Sequence, residues 1–393
     1  MRLPERSLWL TPVISAFPAQ MPSRFAIFPL ILLAAAVAAR AAEPAPRFVG
    51  APGCASAMCH GGGGDLRHQT TIWQKQDIHS RTYNTLVNAR SAQIVAALKI
   101  PDATTSTRCT SCHAPFHEVP RDLVLNPIDF KTGVACESCH GPAERWLRPH
   151  TRTDFSHADR VTAGLRDLRN LYVRANTCVA CHQTVDSDIA AAGHPELLFE
   201  LDGQAVAQPR HWREKGDWHG PRAWFVGQAV ALREMSWQLA REKAPDEILR
   251  DRWAALLWLL QTGEAAGVTS KALAGIGTEA APANFTRAQE SADKLARDLA
   301  DAKWSAEATS KLLRQFANTA AAFNDSKLKP AAHARRAERL VLALDRLLTG
   351  SDPVALLKAE PHLTRLFQLA QSLPDFDPAA FAKALERLAG SVP

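Results

Sequence analysis

Eight cysteines stand in four pairs along the 393-residue chain, and a histidine follows the second member of every pair. Cys109-Thr-Ser-Cys112-His113, Cys136-Glu-Ser-Cys139-His140 and Cys178-Val-Ala-Cys181-His182 share one spacing, whereas Cys54-Ala-Ser-Ala-Met-Cys59-His60 has a four-residue spacer. Two sulfurs on one tight turn match the two vinyl groups on a porphyrin edge, each forming a thioether. The adjacent imidazole then folds under the ring and binds iron. The wider first turn still presents both sulfurs. These residues therefore read as attachment sites for four covalently bound haem c groups, with His60, His113, His140 and His182 as proximal iron ligands.

Two other chemistries use paired cysteines. An even cysteine count in an exported chain fits a disulfide framework, and Cys109/Cys112 with Cys136/Cys139 look like two zinc knuckles. Neither requires a histidine after each pair. Histidine is 14 of 393 residues, so four such placements by chance are on the order of one in a million. That weighs strongly for haem.

A haem iron takes a second axial ligand, and its identity helps set the potential: methionine raises it and a second histidine leaves it lower. From residue 42 onward the only methionines are Met58 and Met235, and Met58 lies inside its own attachment loop. Ten histidines remain beside the four proximal ones: His68, His79, His117, His150, His157, His194, His211, His219, His333 and His362. Eight of them precede residue 220. Low-potential, bis-histidine haems are the expectation. His117 is too close in sequence to His113 to reach the opposite face of the same porphyrin, so as a ligand it would serve a neighbouring haem. His157, His211 and His219 read as ligands, propionate partners or surface residues. His68 follows the Gly61–Gly64 run and is expected in solvent. His333 and His362 lie in helical sequence far from the motifs and are expected to be inert.

The elements around these residues fall into two textures. Residues 42–220 show little periodicity, as expected where porphyrins replace an apolar side-chain core. From Pro221 a helix is expected to about Glu242, and Pro245-Asp246 opens a second with Trp253, Leu256, Leu257 and Leu260. Leu312, Phe316, Ala320 and Phe323 form one stripe. Ala337, Leu340, Val341, Leu344, Leu347 and Leu348 trace another at helical spacing, ended by Gly350. Asp352-Pro353 and Asp377-Pro378 each pair an N-cap residue with a first-turn proline. The fold class expected is mainly α: a haem-packed multihaem cytochrome domain at 42–220 with little regular structure, followed by an α-helical bundle at 221–393. Trp212, Trp218 and Trp224 mark the boundary, where packing of the bundle against a haem edge is expected.

The apolar stretch 25–39, preceded by Arg24 and followed by Ala39-Arg40-Ala41, reads as a signal peptide covering residues 1–41. It is short for a bilayer span, which needs about twenty residues. Met21 stands just before it, which makes residues 1–20 readable as the product of an upstream start. Its four arginines (Arg2, Arg6, Arg24, Arg40) against Glu5 remove three positive charges from the formal +6, leaving +3. With no Lys/Arg-rich run, nucleic acid is not an expected partner. The mature chain is expected to be exported to the periplasm, without a transmembrane span.

Several of these segments resemble the tetrahaem cytochrome c-554 family of multihaem cytochromes. The resembling residues are Gly53-Cys54 through Cys59-His60, Trp73-Gln-Lys-Gln-Asp-Ile-His79 and Val134-Ala-Cys-Glu-Ser-Cys-His-Gly-Pro142. Ala192-Gly-His-Pro195 followed by Phe199-Glu-Leu201 is similar to related multihaem chains, and the likeness covers roughly residues 48–225. Carried over by order along the chain, the resemblance implies that His79 caps the haem of His140, His150 that of His182 and His117 that of His60. The second haem of the family's namesake is five-coordinate; here His194 offers a sixth ligand for the haem of His113. The four-residue spacer and the long C-terminal extension depart from the namesake.

The functional expectation is an electron carrier that passes electrons between redox partner proteins through bis-histidine haems. The alternative is a multihaem redox enzyme acting on a small nitrogen or sulfur compound at a five-coordinate haem, that of His113. A third reading makes the bundle the docking surface of a subunit in a respiratory assembly.

Overall fold

Short helices separated by proline and glycine build the first half of the chain, and long amphipathic helices build the second. This computed structural model describes residues 44–64, 67–214, 219–242, 246–351, 353–372 and 375–392. The expected signal peptide lies outside them, as do Trp218, Pro245 and Asp352. The chain is mainly helical: fifteen α-helices are described, and the β structure among the described residues is one isolated bridge between Phe48 and Val124. Ala45–Pro393 clusters as one compact unit. Among the described residues no helix is long and apolar enough to cross a membrane.

The attachment motifs sit at helix ends. Thr107–His113, Cys136–His140 and Leu171–His182 each finish on the motif histidine, and the 3-10 turn Ala51–Gly53 runs directly into Cys54. A helical last turn brings the two thiols of a two-residue spacer onto one side and carries the histidine just past them. Asn170 caps the longest of these helices, accepting from the amides of Tyr172 at 2.9 Å and Val173 at 3.1 Å.

Between the motifs, polar anchors replace an apolar core. Glu137, within the third motif and 1% exposed, accepts from the amides of Val49, Gly50 and Ala143 at 2.7–3.1 Å. It thereby ties the approach to the first motif onto the third. Trp73 donates its indole N–H to the Val134 carbonyl at 3.0 Å, and the Val134 amide donates to His79 O at 2.9 Å. Gly133 makes that approach possible: its φ is +71°, and a Cβ there would stand 2.6 Å from the His79 carbonyl oxygen. Only small apolar clusters accompany these anchors, such as Trp73 with Phe116 and Ala135.

The bundle has a conventional apolar core. Gly220–Leu239, Glu247–Ala265, Pro282–Asp301, Ala306–Ala317, Pro330–Thr349, Pro353–Ala370 and Pro378–Ala389 pack around Trp224, Phe225, Trp253, Phe316 and Phe381, each nearly or wholly buried. The first of these helices ends at Leu239, short of Glu242. The stripe expected through Leu312 and Phe323 divides into the helix Ala306–Ala317 and the 3-10 turn Ala320–Phe323, both of which still bury their apolar residues. Asp377 caps its helix as its Asp-Pro pair suggests, accepting from Ala379 and Ala380 at 2.9 and 3.0 Å.

The core of the bundle extends across residue 220. Leu171, Ala175 and Val179 of the fourth-motif helix, with Phe199 and Leu201, lie in the same apolar cluster as the bundle helices. A polar network fastens the same junction. The Tyr172 hydroxyl donates to Asp293 at 2.6 Å, and Arg233 reaches Asp293 at 2.8 Å and Asn176 at 2.5 Å. The two textures of sequence thus share one packed body.

Candidate functional site

Each of the four motif histidines faces one other histidine. Ring centroids are 6.0 Å apart for His60 and His150, 5.9 Å for His182 and His79, 6.4 Å for His113 and His194, and 6.4 Å for His140 and His211. Imidazole nitrogens bind first-row metals at about 2 Å. Adding the distance from nitrogen to ring centre on each side, one ion between two imidazoles sets their centroids roughly 6 Å apart. All four separations match that span, which is too wide for direct ring stacking.

The ring tautomers agree. Six of the eight rings donate Nδ1–H to an oxygen: His60 to Gln69 Oε1 at 2.9 Å, His79 to Asp77 Oδ1 at 2.8 Å, and His113 to Thr85 Oγ1 at 2.8 Å. His194 donates to Pro195 O at 2.8 Å, His211 to Pro209 O at 3.3 Å, and His150 to Leu147 O. The Thr85 hydroxyl spends its own proton on Thr82 O at 2.7 Å, so it accepts from His113. A neutral imidazole with its proton on Nδ1 keeps a lone pair on Nε2, the form a metal ligand requires. Burial favours the neutral form: it lowers His113, His150, His182 and His211. It brings His140 down to about 4, with positive neighbours His211, Arg166 and His60 adding to the effect.

The remaining histidines are arranged differently. His157 and His333 direct Nε2 at protein oxygens, Asp167 Oδ1 at 2.9 Å and Asp325 O at 3.0 Å. His333 is buried in the bundle beside Phe323, and His219 occupies the N-cap position of Gly220–Leu239. His68 turns Nδ1 to Gly64 O. His117 is exposed and lies against Phe130, with ring centroids 4.9 Å apart.

The pairing carried over by chain order therefore differs from the pairing in space. His79 stands beside His182 rather than His140, His150 beside His60 rather than His182, and His117 beside Phe130 rather than His60. His211, left open among three readings from sequence, faces His140. The physical reason is local. His117 lies in the 3-10 turn Pro115–Glu118, directly after the second motif helix. His211 is carried to the third motif by the segment after Leu201–Ala207, held by Glu214, which accepts from Trp212 Nε1 at 2.7 Å and Arg174 Nη1 at 2.8 Å.

The thiols complete the centres. No two of the eight cysteines are joined as a disulfide in this structure. Among the described residues no group of three or more His, Cys, Asp or Glu side chains converges as a metal cage, whereas a structural zinc needs four ligands together. The donor set fits haem c: two sulfurs and one imidazole per motif, with a second imidazole opposite. Neighbouring motifs also touch. Cys54 lies close enough to Cys136, Cys112 to Cys181 and Cys178 to Cys139 for each pair to influence one another electrostatically. Burial pushes Cys139 and Cys178 up to about 11. The motifs thus adjoin in the order first, third, fourth, second. Arg108 braces the last step, reaching from the second motif helix to Asp186 at 3.1 Å and to Asp188, just beyond the fourth.

Asp77 is the anchor that spacing alone does not reveal. It is 2% exposed, caps the 3-10 helix Ile78–Val87, and accepts from the His79 amide at 3.0 Å, His79 Nδ1 at 2.8 Å and Gln208 Nε2 at 3.1 Å. Burial alone would raise its carboxyl, but the hydrogen bonds from His79 and Gln208 outweigh it and hold it at about 2. The sequence signal available was Asp-x-His, an acceptor two residues before a paired histidine.

No curated protein and no solved structure matches the chain. A family model does match part of it, a segment that takes in the first three attachment motifs and stops short of the fourth and of the bundle. Residues 54–141 match the family described as cytochrome c554 and c-prime, which supports a c-type cytochrome in electron transfer carrying covalently bound haem c.

Proposed function

We propose that the chain is an exported tetrahaem electron carrier in which every iron is held by two histidines. The observation that carries this reading is the set of four histidine pairs at 5.9–6.4 Å. The proximal–distal assignments are His60 with His150, His113 with His194, His140 with His211 and His182 with His79. The covalent attachments are Cys54/Cys59, Cys109/Cys112, Cys136/Cys139 and Cys178/Cys181.

Haem supplies a reversible one-electron couple when bound. The protein's own contribution would be to set two imidazoles at each site, hold six of the eight Nδ1 protons on oxygen acceptors and keep neighbouring attachment sites close together. His194 opposite His113 favours a carrier over the rival reading of an enzyme with a five-coordinate second haem. Redox partner proteins follow from the same logic, because a carrier without an open iron exchanges electrons with other proteins. Periplasmic export rests on residues 1–41.

The test is EPR of the oxidised holoprotein with a haem-stoichiometry assay, followed by carbon monoxide addition to the reduced form. Four low-spin haems and no carbon monoxide adduct are expected. A stoichiometric high-spin signal that binds carbon monoxide would establish the enzyme reading instead.

A further inference from the structure

The six Nδ1 protons with identified acceptors do not meet equivalent oxygens. Five meet neutral acceptors: the Gln69 amide, the Thr85 hydroxyl and the carbonyls of Leu147, Pro195 and Pro209. His79 alone among them meets a carboxylate, that of Asp77. A full negative charge on Nδ1–H draws the proton towards the acceptor and makes Nε2 a stronger donor. A stronger donor stabilises ferric over ferrous iron and lowers the potential, and a nearby buried negative charge acts in the same direction.

We infer that Asp77 is a positioning residue that lowers the potential of the haem held by His182 and His79 relative to its neighbours. The inference rests on the ligand pairing proposed above. Capping fixes the carboxylate, since Oδ1 also takes the His79 amide, so its distance to the ring is set by the start of the helix Ile78–Val87. Gln208 holds the other oxygen and competes for its charge. Gln208 directly follows the helix Leu201–Ala207 and precedes His211 by three residues. The carboxylate therefore sits between the segment that carries His79, facing His182, and the segment that leads to His211, facing His140.

The experiment is a spectropotentiometric titration of the full-length holoprotein and its variants, with EPR on each sample. His79→Met assigns the step belonging to this haem. Asp77→Asn keeps the shape and the helix cap and removes the charge, and it should move that step to more positive potential with the smallest change in the other three. Asp77→Glu should restore most of the wild-type value. Gln208→Leu frees the carboxylate for His79 and should move the same step to more negative potential, a readout independent of how well the asparagine variant folds. An unmoved step in Asp77→Asn with four low-spin haems intact overturns the inference. So does an equal shift of all four steps, or a glutamate variant that behaves like the asparagine one. Fewer than four bis-histidine signals in the wild type would instead defeat the ligand pairing itself.

Discussion

His211 faces His140 at a centroid separation of 6.4 Å with their ring planes at 81°, although the two residues come from segments with no sequence motif in common. Arg174 and Trp212 both bind Glu214 and so hold the segment that carries His211. His211→Gly should open the third haem alone: one high-spin signal appears, and one equivalent of carbon monoxide binds after reduction. His117→Ala should leave every spin state unchanged. EPR and carbon monoxide titration of the two variants separate the spatial pairing from the pairing by chain order.

The angle between the two ring planes differs among the pairs. It is 19° for His60 and His150, 61° for His113 and His194, 78° for His182 and His79, and 81° for His140 and His211. Parallel imidazoles split the iron dπ orbitals, whereas perpendicular ones leave them nearly degenerate. Oxidised protein should therefore give one well-resolved rhombic low-spin signal from the first centre and broad, large-g signals from the third and fourth. His150→Gly should remove the rhombic signal selectively.

Glu137 holds three backbone amides from two segments while almost fully buried. Hydrogen bonds to a charged acceptor contribute roughly 1.5–3 kcal/mol each, and a buried donor left unpaired costs about 1–3 kcal/mol. Glu137→Gln turns one accepting edge into a donor facing N–H groups. A loss of about 2 kcal/mol is expected on that basis, read by denaturant unfolding, with the haem count unchanged.

Glu200 caps the helix Leu201–Ala207, accepting from the amides of Asp202 at 2.8 Å and Gly203 at 2.5 Å. Burial pushes its carboxyl up to about 7 from an ordinary value of 4.5, against the opposing pull of those amides. A folded pKa above the unfolded one means the unfolded chain binds fewer protons between the two values. The stability contribution is therefore fully present below about pH 4.5 and is lost as pH rises through 7. Thermal unfolding should show a fall in Tm from pH 5 to pH 8 that is flatter in Glu200→Gln, which retains an accepting oxygen for the cap.

Much of the chemistry was legible from residue types. The cysteine pairs and their histidines announce their role by spacing, because attachment is local. Helix signals such as Asp377-Pro378, and the apolar stripe from Ala337 to Leu348, were equally direct, since capping and burial act over a few residues. The partner rings were legible only in part: His194 faces His113 as expected, whereas the motifs that His79 and His150 face, and the place of His211, were not. Facing rings come from distant segments, and chain order carries no information about which motif a segment folds against. His117 has the right residue type beside a motif yet lies on Phe130, whereas His211 has no local mark and reaches His140. The nitrogen that a ring commits to hydrogen bonding separates His157 and His333 from the paired histidines, and that is a property of the folded chain. The junction at residue 220 is similar: a change of texture was visible, but not that Leu171, Ala175 and Val179 supply part of the bundle core.

The helix Leu171–His182 has one face sealed into that core and carries Cys178 and Cys181 near its end. Burial keeps the Cys178 thiol protonated, with its pKa near 11, so once the bundle closes its sulfur is both less reactive and less reachable. On the tetrahaem reading proposed above, attachment at Cys178 and Cys181 thus competes with closure of the C-terminal half. Chains in which the bundle wins should carry three cofactors instead of four, a difference that intact mass would resolve.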